Sequence, residues 1–312
     1  MIVGIDIGGS TTQGVLLKNG KICSFTSIHA SDAMASAAGC LGKIVTENRT
    51  TINRVIAVAA TGGGSKKLNK SLLGIPVKKV EEIKAIGLGG MTLTGKKKCF
   101  VVSIGTGTAM IAVTDGGNII RHVGGTGVGG GTLKGLFRLL LNKDDINNLE
   151  ILASKGDLKK IDLTVRDIVG KGIGKLSPKA TAANFGRLCD ETTSNDIALG
   201  LISMVGEVVG TLSTFAAKNH GLEKDIVFIG KVTKNRTLMR KIQSVVRTFG
   251  GRAVVPDHAE FATAIGAARA LTQAGRPSLI EKLRKKVPKV RKRKNKNRKN
   301  HRKDKRKNAK RK

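Results

Sequence analysis

Two short hairpins with glycine- and threonine-rich turns constrain the fold of this chain more than any other feature of its sequence. The first joins the apolar runs Ile2–Ile7 and Thr12–Leu17, and the second joins Cys99–Ile104 and Ala109–Thr114. Apolar runs of this length that are bounded by glycine predict β-strands. Because one pattern repeats the other about one hundred residues later, the sequence indicates an internal duplication of a hairpin with a phosphate-sized turn.

The residues of these turns suit the binding of a nucleotide polyphosphate. Gly8, Gly9 and Gly105 allow the backbone to approach an oxyanion closely, and neighbouring Ser and Thr hydroxyl groups add hydrogen-bond donors. Asp6 ends the first strand, where its carboxylate is placed to hold Mg²⁺ directly or through water. Phosphoryl transfer needs little more than such donors, a metal ion and a base for the attacking hydroxyl. We therefore predict a site for ATP and Mg²⁺.

Further glycines and helices complete an α/β pattern. A glycine-rich segment at 124–132 enters a predicted helix at Leu133–Leu141, and a helix N-terminus behind such a loop presents free backbone N–H groups to a phosphate. Other predicted strands are Val55–Ala60 and Ile226–Ile229, and other predicted helices are Glu81–Gly90, Ile197–Ala217 and Ala262–Leu271. We place a first domain at 1–118 and a second at 119–275.

Composition limits the remaining options. The chain has 312 residues, no Trp or Tyr and eight Phe, so its core must be aliphatic. Its four cysteines form no CxxC pair, which argues against a zinc site or a disulfide framework. No basic segment precedes the first apolar run, and no uninterrupted apolar stretch approaches the ~20 residues that span a bilayer. We therefore expect a cytoplasmic protein.

The net charge of +35 is distributed unevenly. Residues 276–312 contain 21 Lys or Arg and two acidic residues, a net of +19, which leaves +16 on residues 1–275. A segment so rich in charge and so poor in apolar residues is expected to be disordered. It is expected either to contact RNA or anionic surfaces without sequence preference or to be a solubilising extension.

Three segments carry a resemblance to a known family. They are His122–Leu136, Gly156 to Ile168 and Thr181–Gly186, with support from Val205–Val209 and Ile226–Gly230. Through them the chain, from Met1 to about Leu271, resembles the type II pantothenate kinases of the acetate-and-sugar-kinase and actin superfamily. The resemblance implies two actin-like (ribonuclease H-like) domains with a nucleotide cleft between them, ATP and Mg²⁺ as cofactors, pantothenate as the acceptor, and a homodimer.

The resemblance also implies roles for individual residues. Glu82, counted back from Gly89, is implied to accept the proton of the primary hydroxyl of pantothenate as that hydroxyl attacks the γ-phosphate. Thr108 and Arg121 are implied to contact the substrate, and Asp6 to hold Mg²⁺. The implied ATP contacts are Gly8, Gly9, Ser10, Thr11, Thr12, Gln13, Thr106, Gly130, Gly131, Thr132, Leu133, Lys134 and Lys231.

Three positions depart from the pattern of that family. Gln13 stands where the family has lysine, so one positive charge near the phosphates is missing. His122 stands directly before the Val-Gly-Gly step, where the family has arginine, and Arg121 is one residue earlier. A shift of one residue along a strand points the side chain to the opposite face. Lys231 follows Gly230 where the family has small hydroxyl residues, and it partly restores the missing charge.

Other functions stay open at this point. ATPases that activate acyl-CoA dehydratases or reductases share the Asp-x-Gly-Gly-Ser-Thr-Thr opening and a Glu-Ile-x-Ala helix, but they bind an iron–sulfur cluster through a pair of cysteines per subunit. The cysteines at 23, 40, 99 and 189 do not provide that pair in the expected loops. Gln13 and His122 leave open a sensor that binds ATP or a CoA species without turnover. A sugar kinase would leave Ala183–Gly186 unexplained.

Overall fold

The structure is a computed structural model that describes residues 1–29, 32–174 and 176–273, so the predicted basic tail at 276–312 lies outside the described residues. Its strands are β1 (Ile2–Ile7), β2 (Thr11–Lys18), β3 (Lys21–His29), β4 (Ala57–Thr61), β5 (Ser71–Leu72), β6 (Ile75–Lys79), β7 (Cys99–Ile104), β8 (Thr108–Thr114), β9 (Ile119–Thr126), β10 (Leu163–Thr164), β11 (Thr181–Ala183), β12 (Ile226–Ile229) and β13 (Ala253–Val254). Its α-helices are α1 (Ala33–Glu47), α2 (Glu82–Thr94), α3 (Gly130–Leu141), α4 (Ile146–Ala153), α5 (Val165–Val169), α6 (Ser194–Lys218), α7 (Arg236–Thr248) and α8 (Ala262–Gln273).

The two large sheets repeat one strand order. In the first, β1, β2 and β3 form an antiparallel meander, β4 and β6 continue from β1 in parallel, and β5 is an antiparallel edge. In the second, β7, β8 and β9 form the same meander, and β12 and β13 continue from β7 in parallel. The predicted duplication of the hairpin is therefore confirmed, and it extends to the strands around each hairpin.

The sheets divide the chain differently from the predicted domain boundary. Strands β7 and β8 belong to the second sheet, so a boundary between 118 and 119 falls inside that sheet. The last helix, α8, returns to pack against β1, β2 and β4 of the first sheet. Division by sheet would therefore fall between α2 and β7, because the second hairpin pairs with β9 and β12 rather than with the strands that precede it.

Helices α2 and α8 form the joint between the two sheets. Helix α8 packs on the first sheet, and α2 packs on β7, β8 and β9 and against α8. The contact is close because glycines lie at the crossing: a Cβ atom at Gly266 would lie 1.8 Å from Ala85 O, and one at Gly89 would lie 2.0 Å from Ala262 O. Only a small-residue helix such as α8 allows backbones to approach this closely.

Helix α6 is the core of the second half of the chain. Its 25 residues are long and apolar enough to cross a membrane by length and composition, but 61% of the most apolar window is buried inside the protein. Val205 and Val209 of this helix pack in one cluster with Phe100 and Phe228 of the second sheet. The helix begins with a capping box in which Thr193 and Asp196 bond reciprocally. We interpret α6 as a core helix.

Candidate active site

A row of polar side chains crosses the first sheet at the carboxyl end of its parallel strands. Asp6 of β1 is the direct cross-strand partner of Gln13 on β2 and of Thr61 on β4. Because cross-strand partners share a face of the sheet, the three side chains lie side by side. Gly62 follows at φ +80°, and a Cβ atom there would lie 2.3 Å from Asp6 Oδ1. The carboxylate therefore needs glycine beside it.

This row has the properties of a divalent-cation site. Burial, and then the negative charge of Glu82, raise the pKa of Asp6 to about 7. The hydroxyl of Thr61 is buried and has no hydrogen-bond partner among the described residues. Within those residues no group of three or more His, Cys, Asp or Glu gathers to enclose a metal. One carboxylate and open positions for phosphate and water suit Mg²⁺, which rarely uses an all-protein cage.

Glu82 lies at the same edge as Asp6. It is the first residue of α2, with Glu81 as the N-cap, and both side chains are exposed. Strand β6 runs parallel to β4 and ends at Lys79, so the chain delivers the start of α2 to the carboxyl end of the sheet. The influence of Glu82 on the pKa of Asp6 reflects this proximity. The two carboxylates thus face one open region of the molecule.

The first turn is tight and open to solvent. Gly8 N donates to Thr11 O at 3.1 Å, which closes the turn between β1 and β2. Gly9 and Ser10 at its tip are accessible, and a Cβ atom at Gly9 would meet nothing within 4 Å. Thr12, in contrast, is fully buried, and its hydroxyl has no partner among the described residues. The predicted contacts of this turn therefore divide into an exposed tip and a buried base.

The second turn is bonded to the glycine-rich segment before α3. Gly130 N donates to Gly105 O at 2.9 Å, and Gly131 N donates to Thr106 O at 2.8 Å. The expectation of free N–H groups at Gly130 and Gly131 is therefore wrong, because the β7–β8 turn accepts from both. A Cβ atom at Gly131 would lie 2.8 Å from Thr106 Cγ2 and 2.9 Å from Thr106 O. Glycine is needed here for contact between two backbones.

Other predicted residues of this region also have structural partners. Thr108 is buried, and its hydroxyl donates to Val128 O at 2.8 Å rather than facing an open site. Thr132 Oγ1 donates to Gly127 O at 3.0 Å, and Leu133 is 1% exposed within the core. These contacts hold the segment in place. Of these side chains, that of the exposed Thr106 stays available at the turn.

Two exposed lysines flank the second turn. Lys231 follows Gly230, which has φ +102° and whose Cβ atom would lie 2.4 Å from Ile104 O. The next residue, Val232, approaches Gly130 in the same way, with 2.6 Å between Val232 Cγ2 and a Cβ atom built there. Lys231 therefore emerges beside the turn, and Lys134 lies exposed in α3. Both lysines are exposed cations, and their contact with ATP stays a prediction.

His122 and Arg121 lie on opposite faces of β9. His122 pairs with Ile111, which packs in the cluster that faces α2, whereas Arg121 pairs with Ala112, which packs in the cluster around α6. Cross-strand partners share a face. Arg121 therefore points away from α2, and the residue that shares a face with this helix is His122. The role predicted for Arg121 stays a prediction, and it would require an acceptor on the face of β9 opposite to α2.

The run of contacts along β9 brings His122 towards Glu82. A Cβ atom at Gly117 would touch Met91 and Leu88 of α2, and one at Gly87 would touch Ile120. Strand β9 thus runs towards the N-terminus of α2. His122 lies two residues beyond Ile120, a distance of roughly 7 Å along a strand. The same distance along a helix corresponds to between about four and five residues. A path continued by this length from Gly87 leads towards the first turn of α2, which contains Glu82.

The segment Thr181–Gly186 is anchored to α6 and α7. Asn184 Nδ2 donates to Glu207 Oε2 at 2.9 Å, and Lys241 Nζ lies 2.5 Å from Glu207 Oε1. Phe185 has φ +60°, and its N–H donates to Asp162 Oδ1 at 2.9 Å. Burial, more than the charge of Glu207, raises the pKa of Asp162. This segment is therefore part of a fixed polar network.

Comparison with known proteins shows to which family this chain belongs. The family model described as Fumble matches residues 96–270. A type II pantothenate kinase of Bacillus cereus strain G9842 is 30% identical over 251 residues, which cover 78% of this chain and 88% of that protein. One of Oceanobacillus iheyensis is 30% identical over 273 residues, which cover 85% and 97%. The chain belongs to the type II pantothenate kinase family. As a member of that family, it is an ATP-dependent kinase.

Solved structures show the fold that this pantothenate kinase family member shares with other proteins. The activator of the 2-hydroxyisocaproyl-CoA dehydratase from Clostridium difficile with bound ADPNP aligns at a TM-score of 0.65 and 18% identity, covering 90% of this chain and 97% of that one. The ROK hexokinase from Thermus thermophilus aligns at 0.55 and 15%, covering 88% and 99%. The predicted actin-like α/β architecture is confirmed.

Sequence reasoning misses two features of the site in this kinase. The sequence marks Thr61 and Gly62 only as the end of a strand and the start of a loop, although their register against Asp6 makes them its neighbours. It marks His122 only as a departure from the family. The useful signal is the pairing of an acidic strand end with a Thr-Gly strand end elsewhere in the chain, which requires knowledge of which strands are adjacent.

Proposed function

We propose that this kinase phosphorylates pantothenate, transferring the γ-phosphoryl group of ATP to its primary hydroxyl and yielding 4′-phosphopantothenate and ADP. The observation that carries the proposal is the similarity to type II pantothenate kinases along most of both chains. The geometry supports it, because the exposed carboxylate of Glu82 and the half-buried carboxylate of Asp6 lie at one edge of the sheet. Such a pair suits a base and a metal ligand.

In the proposed reaction Glu82 accepts the proton of the attacking hydroxyl. The hydroxyl oxygen forms a bond to the γ-phosphorus, and the bond between that phosphorus and the bridging oxygen of ADP breaks. Asp6, with the hydroxyl of Thr61 beside it, would hold Mg²⁺, which neutralises phosphate charge when bound. Glu82 is exposed at the start of a helix. A hydroxyl in this open region can therefore approach it directly.

Cations around the site have separate proposed tasks. Lys231 and Lys134 border the second turn and are proposed to attract the phosphates of ATP, which offsets the absence of a charge at Gln13. His122 shares the α2 face with the region of Glu82 and is proposed to orient the acceptor. The accessible groups of the two turns are proposed to contact the nucleotide; they are Gly9, Ser10 and Thr106.

The test is ATP-dependent phosphorylation of a panel of acceptors by the full chain, its Glu82→Gln variant and its Glu81→Gln variant. Pantothenate should be the preferred acceptor. We expect Glu82→Gln to lower kcat by about 10²- to 10⁴-fold, the usual contribution of a general base. Glu81→Gln is the matched control, because Glu81 is adjacent and exposed and makes no capping hydrogen bond through its side chain. It should stay within about twofold.

Two results would contradict the proposal in different ways. If pantothenate and all other acceptors failed while ATP still bound, the chain would be a nucleotide-binding sensor. If a sugar were preferred, the family fold would serve another acceptor.

A homodimer is also proposed, since helix α6 leaves the side chains of Leu212 and Phe215 43% and 51% exposed. Sedimentation of the wild type and of Phe215→Ser would test whether this face joins two copies.

A further inference from the structure

The end of the first sheet that lies opposite the candidate active site is basic. Four exposed cationic side chains, named here the basic rim, are Lys18, Lys21, Arg49 and Arg54. Lys18 and Lys21 flank the β2–β3 turn, Arg49 follows α1, and Arg54 precedes β4. All four positions fall at the amino end of the parallel strands. The rim makes no ion pair with any described residue.

A hairpin with an exposed leucine projects from the same end. Leu73 and Gly74 form the turn between β5 and β6, with φ of +49° and +79°. This is the conformation of a two-residue hairpin turn that normally carries Asn-Gly. Leu73 is nevertheless present and is 58% exposed. A leucine in the left-handed region is strained, and such strain persists where it has a use.

The stretch of sequence that contains this hairpin carries charge of one sign. Residues 48–80 contain seven Lys or Arg and no Asp or Glu. The nearest preceding acid, Glu47, is paired with Lys43 at 3.9 Å. The apolar tip thus lies at the same end of the sheet as Arg49 and Arg54, whereas Lys78 and Lys79 lie towards the carboxyl end of β6. Lysine on an edge strand is enough to prevent pairing with another chain. An exposed leucine at the tip is not needed for that purpose.

The last described helix, α8, ends at this end of the molecule as well. Leu271, near the end of α8, packs in one cluster with Ile2 and Leu17, which are at the amino end of β1 and its partner position on β2. Arg269 reaches the β2–β3 turn, with 3.7 Å between its guanidinium and a Cβ atom built at Gly20. The end of α8 at Gln273 therefore lies near the basic rim, and the 21 Lys and Arg residues of 276–312 come after it in the sequence.

We propose that the basic rim and the Leu73 hairpin form a docking surface for an anionic lipid bilayer. Lysine and arginine attract anionic headgroups, and an exposed leucine at a hairpin tip inserts into the boundary between headgroups and acyl chains. The proposal is independent of the acceptor. Lipid is favoured over RNA because neither the four residues of the rim nor the turn at Leu73 and Gly74 includes a Phe, Tyr or Trp to stack on bases.

Docking in this orientation leaves the candidate active site accessible. From Leu73 to the Asp6 row the distance along the sheet is roughly 20 Å, estimated from the rise of a strand. The two lie at opposite ends of the same parallel strands. A bilayer against the rim would therefore face away from Asp6 and Glu82, and substrates would enter from the aqueous side.

The absence of tryptophan from the chain permits a local test that the tail does not obscure. In the full-length Leu73→Trp protein, the single introduced tryptophan should shift to shorter emission wavelengths on vesicles of phosphatidylcholine with phosphatidylglycerol. Brominated acyl chains should quench it, and pure phosphatidylcholine should have no effect. Ile168→Trp, at a 62% exposed position on α5, is the matched control and should not respond. Circular dichroism confirms that both variants fold.

Charge removal at the rim should weaken the fluorescence response of the Leu73→Trp protein. Lys18→Ala with Lys21→Ala in that protein should weaken vesicle binding about 25-fold, taking about fivefold for each charge near the surface. Lys155→Ala with Lys159→Ala, which alters the net charge equally in the second half of the chain, should leave it within about twofold. If vesicles capture the protein but leave the introduced tryptophan unquenched, the tail alone binds and the proposal fails. It also fails if a single-stranded RNA shifts the tryptophan emission and vesicles do not.

Discussion

Gln13 is the direct cross-strand partner of Asp6, so an uncharged amide lies where a cation would otherwise offset the repulsion between Asp6 and Glu82. With no such offset, burial and Glu82 raise the pKa of Asp6 to about 7. Between about pH 4, the usual pKa of an aspartate, and about pH 7 the native chain therefore binds more protons than the unfolded chain. The free energy of unfolding should fall as the pH rises through this window.

Chemical denaturation at several pH values checks this prediction. Asp6→Asn should make the decline across that window smaller, leaving the part that the raised pKa of Asp162 contributes. Gln13→Lys should also reduce it, because an ammonium group beside Asp6 lowers its pKa. Mg²⁺ with ATP should stabilise the wild type more at about pH 8 than at about pH 6, since the cation needs the ionised carboxylate. A wild-type profile identical to that of Asp6→Asn would contradict the assignment.

The hydrogen bonds between the β7–β8 turn and the glycine-rich segment before α3 predict that a methyl group added at Gly131 lowers activity. Gly131→Ala should lower kcat/KM by about tenfold to hundredfold, because a Cβ atom there meets Thr106 at 2.8 Å and displaces the second turn. Gly135→Ala is the matched control in the same helix, since its Cβ would meet nothing within 4 Å. It should keep full activity and gain about 0.5–1 kcal/mol of stability. Steady-state kinetics and urea denaturation provide both readouts.

The crossing of α2 and α8 should be equally intolerant of a methyl group. Gly266→Ala places Cβ 1.8 Å from Ala85 O, and the backbone cannot move without separating the two sheets. We expect a loss of about 3 kcal/mol or more in the free energy of unfolding. Gly42→Ala in α1, where nothing lies within 4 Å, should instead be neutral or stabilising. Thermal melts should show a lower Tm for Gly266→Ala and an unchanged or higher Tm for Gly42→Ala.

The two faces of β9 predict different effects at adjacent residues. His122→Ala should raise KM for the acceptor by about tenfold, the effect of losing one charged hydrogen bond, with a smaller change in kcat. Arg121→Ala should change either constant by less than about twofold, because Arg121 faces away from α2. If instead Arg121→Ala gave the larger rise in KM, the face assignment of the strand would be wrong.

The strained hairpin turn predicts that stability and docking respond in opposite directions. Leu73→Gly should raise the free energy of unfolding by about 1 kcal/mol, because glycine adopts φ +49° without the penalty that leucine bears. The same variant should bind anionic vesicles more weakly than the wild type, since it lacks the apolar tip. A merely structural leucine would show no loss of vesicle binding. Denaturation and vesicle sedimentation measure the two effects on one sample.

Local patterns in the sequence predicted elements wherever a run of apolar residues was bounded by glycine. The strands Ile2–Ile7, Cys99–Ile104 and Ile226–Ile229 occur with the predicted limits, because they are buried strands whose side chains are apolar on both faces. The strand Lys21–His29 and the helix Ala33–Glu47 were not predicted. Their apolar residues are interspersed with polar ones, since each element is covered on one side only.

The sequence by itself determined the two glycine-rich turns, the duplication they mark, the family and the identity of the chemical groups at Asp6 and Glu82. Those features depend on residue types and on short spacings that survive in any arrangement of the chain. The tertiary structure alone decided which groups meet. It put Thr61 and Gln13 beside Asp6, occupied the N–H groups of Gly130 and Gly131, and turned His122 rather than Arg121 towards α2. Register and strand order arise from packing between distant segments, which local spacing does not encode.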